Sequence, residues 1–169
     1  MRAVIQKVSE AQVLIRATKK VCKINKGLLI LIAISKDDLD IDCDYVLRKC
    51  LHSRLFSSPS PSSSDDKNND THNEEERDRD KQWTRSVVDL NYDCLFVSQF
   101  TLMSDLSKGN KPSFSRAMKP IEAEQVYRKF ISNAKARYGN CYEGEFGAMM
   151  DVSLVNDGPM TIIIDSKNK

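Results

Sequence analysis

Apolar and polar positions alternate with a period of two over residues 2–8 and again over 11–17, where Ala3 and Ile5, then Val13 and Ile15 against Gln12 and Arg16, carry the pattern. Both runs predict β-strands. Gly27-Leu28-Leu29-Ile30-Leu31-Ile32-Ala33-Ile34 is a continuous apolar run closed by Ser35-Lys36-Asp37-Asp38. Its shortness and β-branched content predict a strand buried on both faces. The period then changes. Leu39, Cys43, Val46, Leu47, Cys50, Leu51 and Leu55 fall at three- and four-residue steps, with Asp37 and Asp38 at the start, so a helix is expected there. Cys94 to Leu102 reads as a strand of nine residues. A second helix is expected from Pro120 to Tyr138: Pro120 suits the first helical position, Tyr127, Phe130, Ile131, Ala134 and Tyr138 form the stripe, and Gly139 suits the exit. Phe146–Val155 and Met160–Asp165 read as two final strands around Asn156-Asp157-Gly158-Pro159. These elements, joined mostly by short connections, predict a single α+β domain over residues 1–169: a largely antiparallel, barrel-like sheet with two main helices.

One segment fits no element. Ser57 to Gln82 holds eight acidic and four basic residues and no apolar residue, so it cannot bury a core face and is expected to be a polar, floppy insertion without a catalytic role. Without it, 143 residues remain, about 48% apolar, with a net charge of +6 against +2 for the whole chain of 169. The folded part is therefore modestly basic, and no strong overall field points to nucleic acid. The longest apolar run is too short to span a bilayer, so no membrane partner is expected. The first residues, Met1-Arg2-Ala3-Val4-Ile5-Gln6-Lys7, lack the pattern of a signal peptide. Five cysteines, odd in number and without a Cys-x-x-Cys pair, suggest a reduced, cytoplasmic chain with no metal site. No cofactor is expected.

Candidate chemistry is sparse. His72 lies in the polar tract, and His52 stands off the helical stripe with no acidic or nucleophilic neighbour, which reads as a solvated helix residue. The strand at Cys94 turns polar at its end, presenting Ser98, Gln99 and Thr101 around Phe100. By alternation Gln99 and Thr101 share one face while Ser98 and Phe100 share the other. Such groups need partners, whether backbone, water or ligand. A threonine nucleophile needs an adjacent base, and Thr101 has none in sequence. Asn156-Asp157-Gly158-Pro159 reads first as a plain turn. Ser107 to Lys119 carries four bases (Lys108, Lys111, Arg116, Lys119) and no acid, with Phe114 among them. It is either a solvated basic loop or a contact for a phosphate or RNA backbone.

Taken together, Ser98-Gln99-Phe100-Thr101-Leu102 and, some 55 residues later, Asn156-Asp157-Gly158-Pro159-Met160-Thr161 resemble the two signature motifs of the D-aminoacyl-tRNA deacylases. The likeness extends to Met1–Val8, Gly27-Leu28-Leu29, Arg54-Leu55-Phe56-Ser57, Lys111-Pro112-Ser113-Phe114-Ser115 and Phe146–Val155. The resemblance implies a homodimer of barrel-like subunits that hydrolyses the ester between a D-amino acid and the 3′ end of tRNA. It implies a cis Gly158–Pro159 bond, inserted into the partner's pocket beside Ser98, Gln99, Phe100 and Thr101. It also implies an adenosine-binding aromatic at Phe146. Where the family usually has an arginine supporting the Gly-Pro carbonyls, this chain has Lys7, a point charge without the fork. Such a filter works by excluding the L side chain and cannot reject glycine, so glycyl-tRNA is an expected second substrate. Backbone N–H groups near Phe100 and Thr101 would stabilise the oxyanion, with the substrate's ribose 2′-hydroxyl assisting the water. Lys108, Lys111, Phe114 and Arg116 are the candidate tRNA contacts. The rival reading is a nucleic-acid-binding module without hydrolysis.

Overall fold

The computed structural model describes residues 1–58 and 82–168. The centre of the polar tract, 59–81, lies outside the described residues, and with it the expectation of a floppy insertion.

The two N-terminal runs form one strand, β1 (Arg2–Ile15). On one edge it is met by the returning chain: β2 (Val21–Ile24) pairs antiparallel with its second half, Ala11↔Ile24 to Leu14↔Val21, and β3 (Gly27–Ala33) with its first half, Arg2↔Ala33 to Val8↔Gly27. On its other edge β1 carries β6 (Met150–Asp165), antiparallel along almost its whole length. Between Val8↔Asn156 and Glu10↔Val155, β1 advances two residues while β6 advances one, so Ser9 is an extra residue, a β-bulge. The bulge has a packing consequence. Ala3 and Ile5 point to the helices and Val8 to the opposite side; the extra residue keeps Ala11 and Val13 on the Val8 side, where they meet Ile24, Leu29, Leu95 and Val97.

The helices explain the rest of the topology. A strand can lie parallel to its predecessor only after a crossover connection. α1 (Asp40–His52) lies in the connection from β3 to β4 (Asp93–Ser98), and α2 (Pro120–Arg137) in that from β4 to β5 (Cys141–Glu143). Accordingly Gly27↔Asp93 to Ile32↔Ser98 and Cys94↔Cys141 to Phe96↔Glu143 are parallel ladders. The mixed sheet is nearly closed into a barrel, antiparallel around β1 and parallel around β4. Both helices bury their stripes on the sheet: Val46, Leu47, Cys50 and Leu51 from α1, and Tyr127, Phe130, Ile131 and Ala134 from α2. Phe130 meets Phe96 edge-on at 5.6 Å, and the buried Tyr127 hydroxyl donates to the Phe96 carbonyl at 3.2 Å. Ion pairs Lys129–Asp40 (2.7 Å) and Arg137–Asp44 (2.6 Å) join the helices at the surface, where each adds little. All five cysteines are free. No helix among the described residues is long and apolar enough to cross a membrane.

Further sequence expectations are corrected. The strand from Cys94 stops at Ser98, and a 3-10 helix over Phe100–Met103 replaces its expected end, so Ser98 and Phe100 do not share a strand face. The two final strands are one: β6 runs from Met150 through Pro159 to Asp165, and Phe146 lies in the turn before it. The Asn156–Pro159 turn is thereby an irregularity within a strand. Leu39, expected on the buried stripe, is the exposed cap of α1, its amide held by the Asp42 carboxylate at 2.9 Å. His52, at the last position of α1, is exposed as expected.

Candidate active site

β4 brings four buried residues, Cys94 to Val97, up to the polar end of the strand. The Gln99 amide still donates to the Ile32 carbonyl at 2.7 Å, but its backbone (φ −146°, ψ 76°) has left the strand. The chain then tightens. Leu102 N–H donates to Gln99 (3.2 Å) and Ser104 N–H to Thr101 (3.0 Å), while buried Met103 pins the turn to the core. The N–H groups of Phe100 and Thr101 precede the first such bond, so they have no acceptor within the turn. The Gln99 side-chain amide donates to the Thr101 hydroxyl at 2.5 Å. That partner is a donor and cannot take up a proton, so the contact does not activate Thr101 as a nucleophile.

Phe100 is 57% exposed, a cost in water that an edge contact with Phe114 (5.0 Å) offsets in part. Phe114 belongs to the basic loop. Asp105 and Ser113 exchange two backbone hydrogen bonds (2.8 and 2.9 Å), Met118 N–H donates to Ile34 at 3.0 Å, and Lys36 N–H to Arg116 at 3.1 Å. These bonds hold the loop beside the end of β3. Within it, Arg116 is paired to Asp105 at 3.5 Å, whose carboxyl the Ser107 amide holds below its ordinary range. Lys108 and Lys111 are exposed and make no ion pair among the described residues. Lys108, Lys111 and Phe114 thus lie in one loop, in which Arg116 is paired to Asp105.

The second motif is built by register. From Gln6↔Thr161 to Val8↔Asn156, β1 advances two residues and β6 five, so three residues of β6 have no counterpart and the chain bulges outward. Gly158 sits at φ +123°, where a side chain is disfavoured, and the Gly158–Pro159 bond is cis. Asn156 closes the base of this loop: its Oδ1 accepts from Met160 N–H at 3.3 Å and its Nδ2 donates to the Thr161 hydroxyl at 3.4 Å. Lys7 lies opposite the bulge, its ammonium 3.2 Å from the Asp157 carboxylate and 5.5 Å from the centre of the Phe56 ring. Gly158 and Pro159 are exposed. Among the described residues, no hydrogen bond or ion pair joins this loop to Gln99–Thr101 of the same chain. Phe146 is half-buried and leans on Tyr127, with ring centres 5.5 Å apart.

Sequence reasoning missed two polar contributors. Asn156 was visible only as part of a motif, and Arg2, which bonds the Leu102 carbonyl at 2.7 Å, had no local signal at all.

The family model described as D-Tyr-tRNA(Tyr) deacylase matches residues 4–165. The chain belongs to this family. It is 42% identical to the D-aminoacyl-tRNA deacylase of Dictyostelium discoideum and 41% identical to that of Finegoldia magna, in each case over all of both chains. Membership of the deacylase family makes the protein a hydrolase. Among solved structures, one named "c-Myc DNA Unwinding Element Binding Protein" superposes with a TM-score of 0.80 at 34% identity, covering 98% of each chain. A second, described as a probable eukaryotic D-amino acid tRNA deacylase, has a TM-score of 0.76 at 16% identity over 96% of this chain and 97% of its own, a likeness of fold.

Proposed function

We propose that this deacylase hydrolyses the ester joining a D-amino acid to the terminal ribose of tRNA, releasing free D-amino acid and tRNA. The observation that carries the reading is the main-chain bulge at Gly158–Pro159, exposed on β6 and braced by Asn156 and Lys7, in a chain of this family. A braced stretch of backbone presents carbonyls that can occupy the space of an L side chain whatever that side chain is, and leave a D side chain free. Glycyl-tRNA passes the same filter. Because the bulge is exposed and makes no bond to Gln99–Thr101 of its own chain, it acts on the pocket of a second copy. Exposed Val152, Val155 and Ile163 on the same strand support a homodimer. The Phe100 and Thr101 amides face the developing oxyanion, Gln99 orients Thr101, and the substrate's 2′-hydroxyl assists the water. Lys7 holds the bulge through Asp157. Phe146 receives the terminal adenine, and Lys108, Lys111 and Phe114 meet the acceptor end, with Arg116 positioning their loop.

The test is incubation with D-tyrosyl-, L-tyrosyl- and glycyl-tRNA, alongside sedimentation. Release of D-tyrosine and glycine but not L-tyrosine by a dimer is expected; an active monomer would count against the cross-subunit site.

Thr101→Ala is expected to retain hydrolysis within about tenfold of wild type, whereas loss of a covalent nucleophile removes several orders of magnitude. An acyl-Thr101 species found by mass spectrometry would overturn that assignment.

A further inference from the structure

The Leu102 carbonyl ends the turn that carries Phe100 and Thr101. Continuation of the turn would give it the Asp105 amide, but that amide donates instead to Ser113 at 2.8 Å. Its donor comes from β1, which β3 separates from β4 in the sheet. Arg2, the first residue of β1, lies opposite Asp165 of β6 in the ladder. Its Nε and Nη2 both donate to Asp165 Oδ2, at 3.1 and 2.8 Å. A carboxylate gripped in this way fixes the guanidinium plane, and the remaining Nη1 reaches Leu102 O at 2.7 Å. Burial opposes the Asp165 charge, but the Lys167 amide and Arg2 prevail and hold its carboxyl below the usual range. A lysine at position 2 could reach one of these oxygens and not hold both in a plane.

We propose that Arg2 is a positioning residue for the hydrolysis: it locks the Phe100–Met103 turn to β1 and β6, so that the Phe100 and Thr101 amides stand where the oxyanion forms. The proposal rests on the role given above to Gln99–Thr101. It also ties that turn to the strand that carries the Gly158 bulge, seven residues before Asp165. A merely structural arginine would change stability; this one sets the rate.

The experiment compares wild type, Arg2→Ala and Arg2→Lys in D- and L-tyrosyl-tRNA hydrolysis, with thermal melting and amide exchange of the 100–104 segment. A small displacement of catalytic donors costs about 100-fold, so Arg2→Ala is expected to lose kcat on that scale. KM should stay within a few-fold and the D to L ratio should hold, since the bulge is untouched. Exchange at Leu102 and Ser104 should quicken while that of β3 and β4 does not. Methylguanidinium in millimolar excess should recover much of the lost rate, and methylammonium should not. A folded Arg2→Ala with wild-type kcat overturns the proposal, as does a loss confined to KM. If Arg2→Ala does not fold, Arg2→Lys decides: reduced kcat with an unchanged melting point supports the role, and wild-type kcat refutes it. Failure of the underlying function would show differently, as wild type that releases no D-tyrosine.

Discussion

Gly158→Ala is expected to lower D-tyrosyl-tRNA hydrolysis by about 100-fold, or to admit the L-ester, while leaving the protein folded. Two observations set the direction. The residue sits at φ +123°, a conformation costing an L side chain about 1–3 kcal/mol wherever it is placed. A Cβ built there would also stand 3.1 Å from the Met160 amide nitrogen, the donor that Asn156 uses to close the loop. Relief of either strain rotates the backbone and carries the Gly158 carbonyl with it. The strands on either side are paired with β1, so circular dichroism should change little, and the strain should lower melting by roughly 2–12 °C without unfolding the protein. The deciding measurement is the ratio of D- to L-tyrosyl-tRNA hydrolysis in wild type and variant. If rate and ratio are both unchanged, chiral selection lies elsewhere and the bulge loses its assigned role.

Gly27→Ala should do the opposite, striking stability and leaving specificity alone in whatever protein still folds. Gly27 opens β3 between Val8 of β1 and Asp93 of β4. An added Cβ would lie 2.0 Å from the Asp93 carbonyl oxygen and 2.8 Å from its carbon. Both are backbone atoms of a paired strand, so no side chain can swing aside. β4 would have to move away, and with it the first ladder of the parallel pair that leads to Gln99. Overpacking that displaces backbone falls in the rare class of changes costing about 4 kcal/mol or more. For a chain of this size that is a fall in melting temperature of roughly 8–16 °C. Gly139→Ala is the control: nothing lies within 4 Å of its Cβ and it follows the end of α2, so melting should barely move. Equal melting of the two variants would show that β3 and β4 can separate at this point without loss.

The sequence by itself determined the elements whose information is local. The Tyr127, Phe130, Ile131 and Ala134 stripe marks α2, because a helix repeats every 3.6 residues and only those positions can face one sheet. Leu28 to Ala33 marks a buried strand because no polar residue interrupts it. The two motifs that carry the family likeness were also legible, since each is a short run of chain. What alternation cannot show is where a strand bends or whether it stops. Ser98-Gln99-Phe100-Thr101 continues the pattern of β4 on paper; the chain turns there because the last β3–β4 ladder bond comes at Gln99, and Met103 then finds the core. Phe146 to Asp165 reads as two strands and a turn; it is one strand from Met150 because β1 is long enough to pair on both sides of the bulge. The extra residue at Ser9 likewise depends on which side Ala11 must face. The contacts that brace the site were beyond the reach of any local reading. Lys7 with Asp157, and Arg2 with Leu102 and Asp165, join residues 100 or more positions apart, and a slip of one residue in any ladder would turn them to the other face. Local pattern therefore settled which segments fold and which carry the family likeness, and only the register between strands decided which residues of those segments meet.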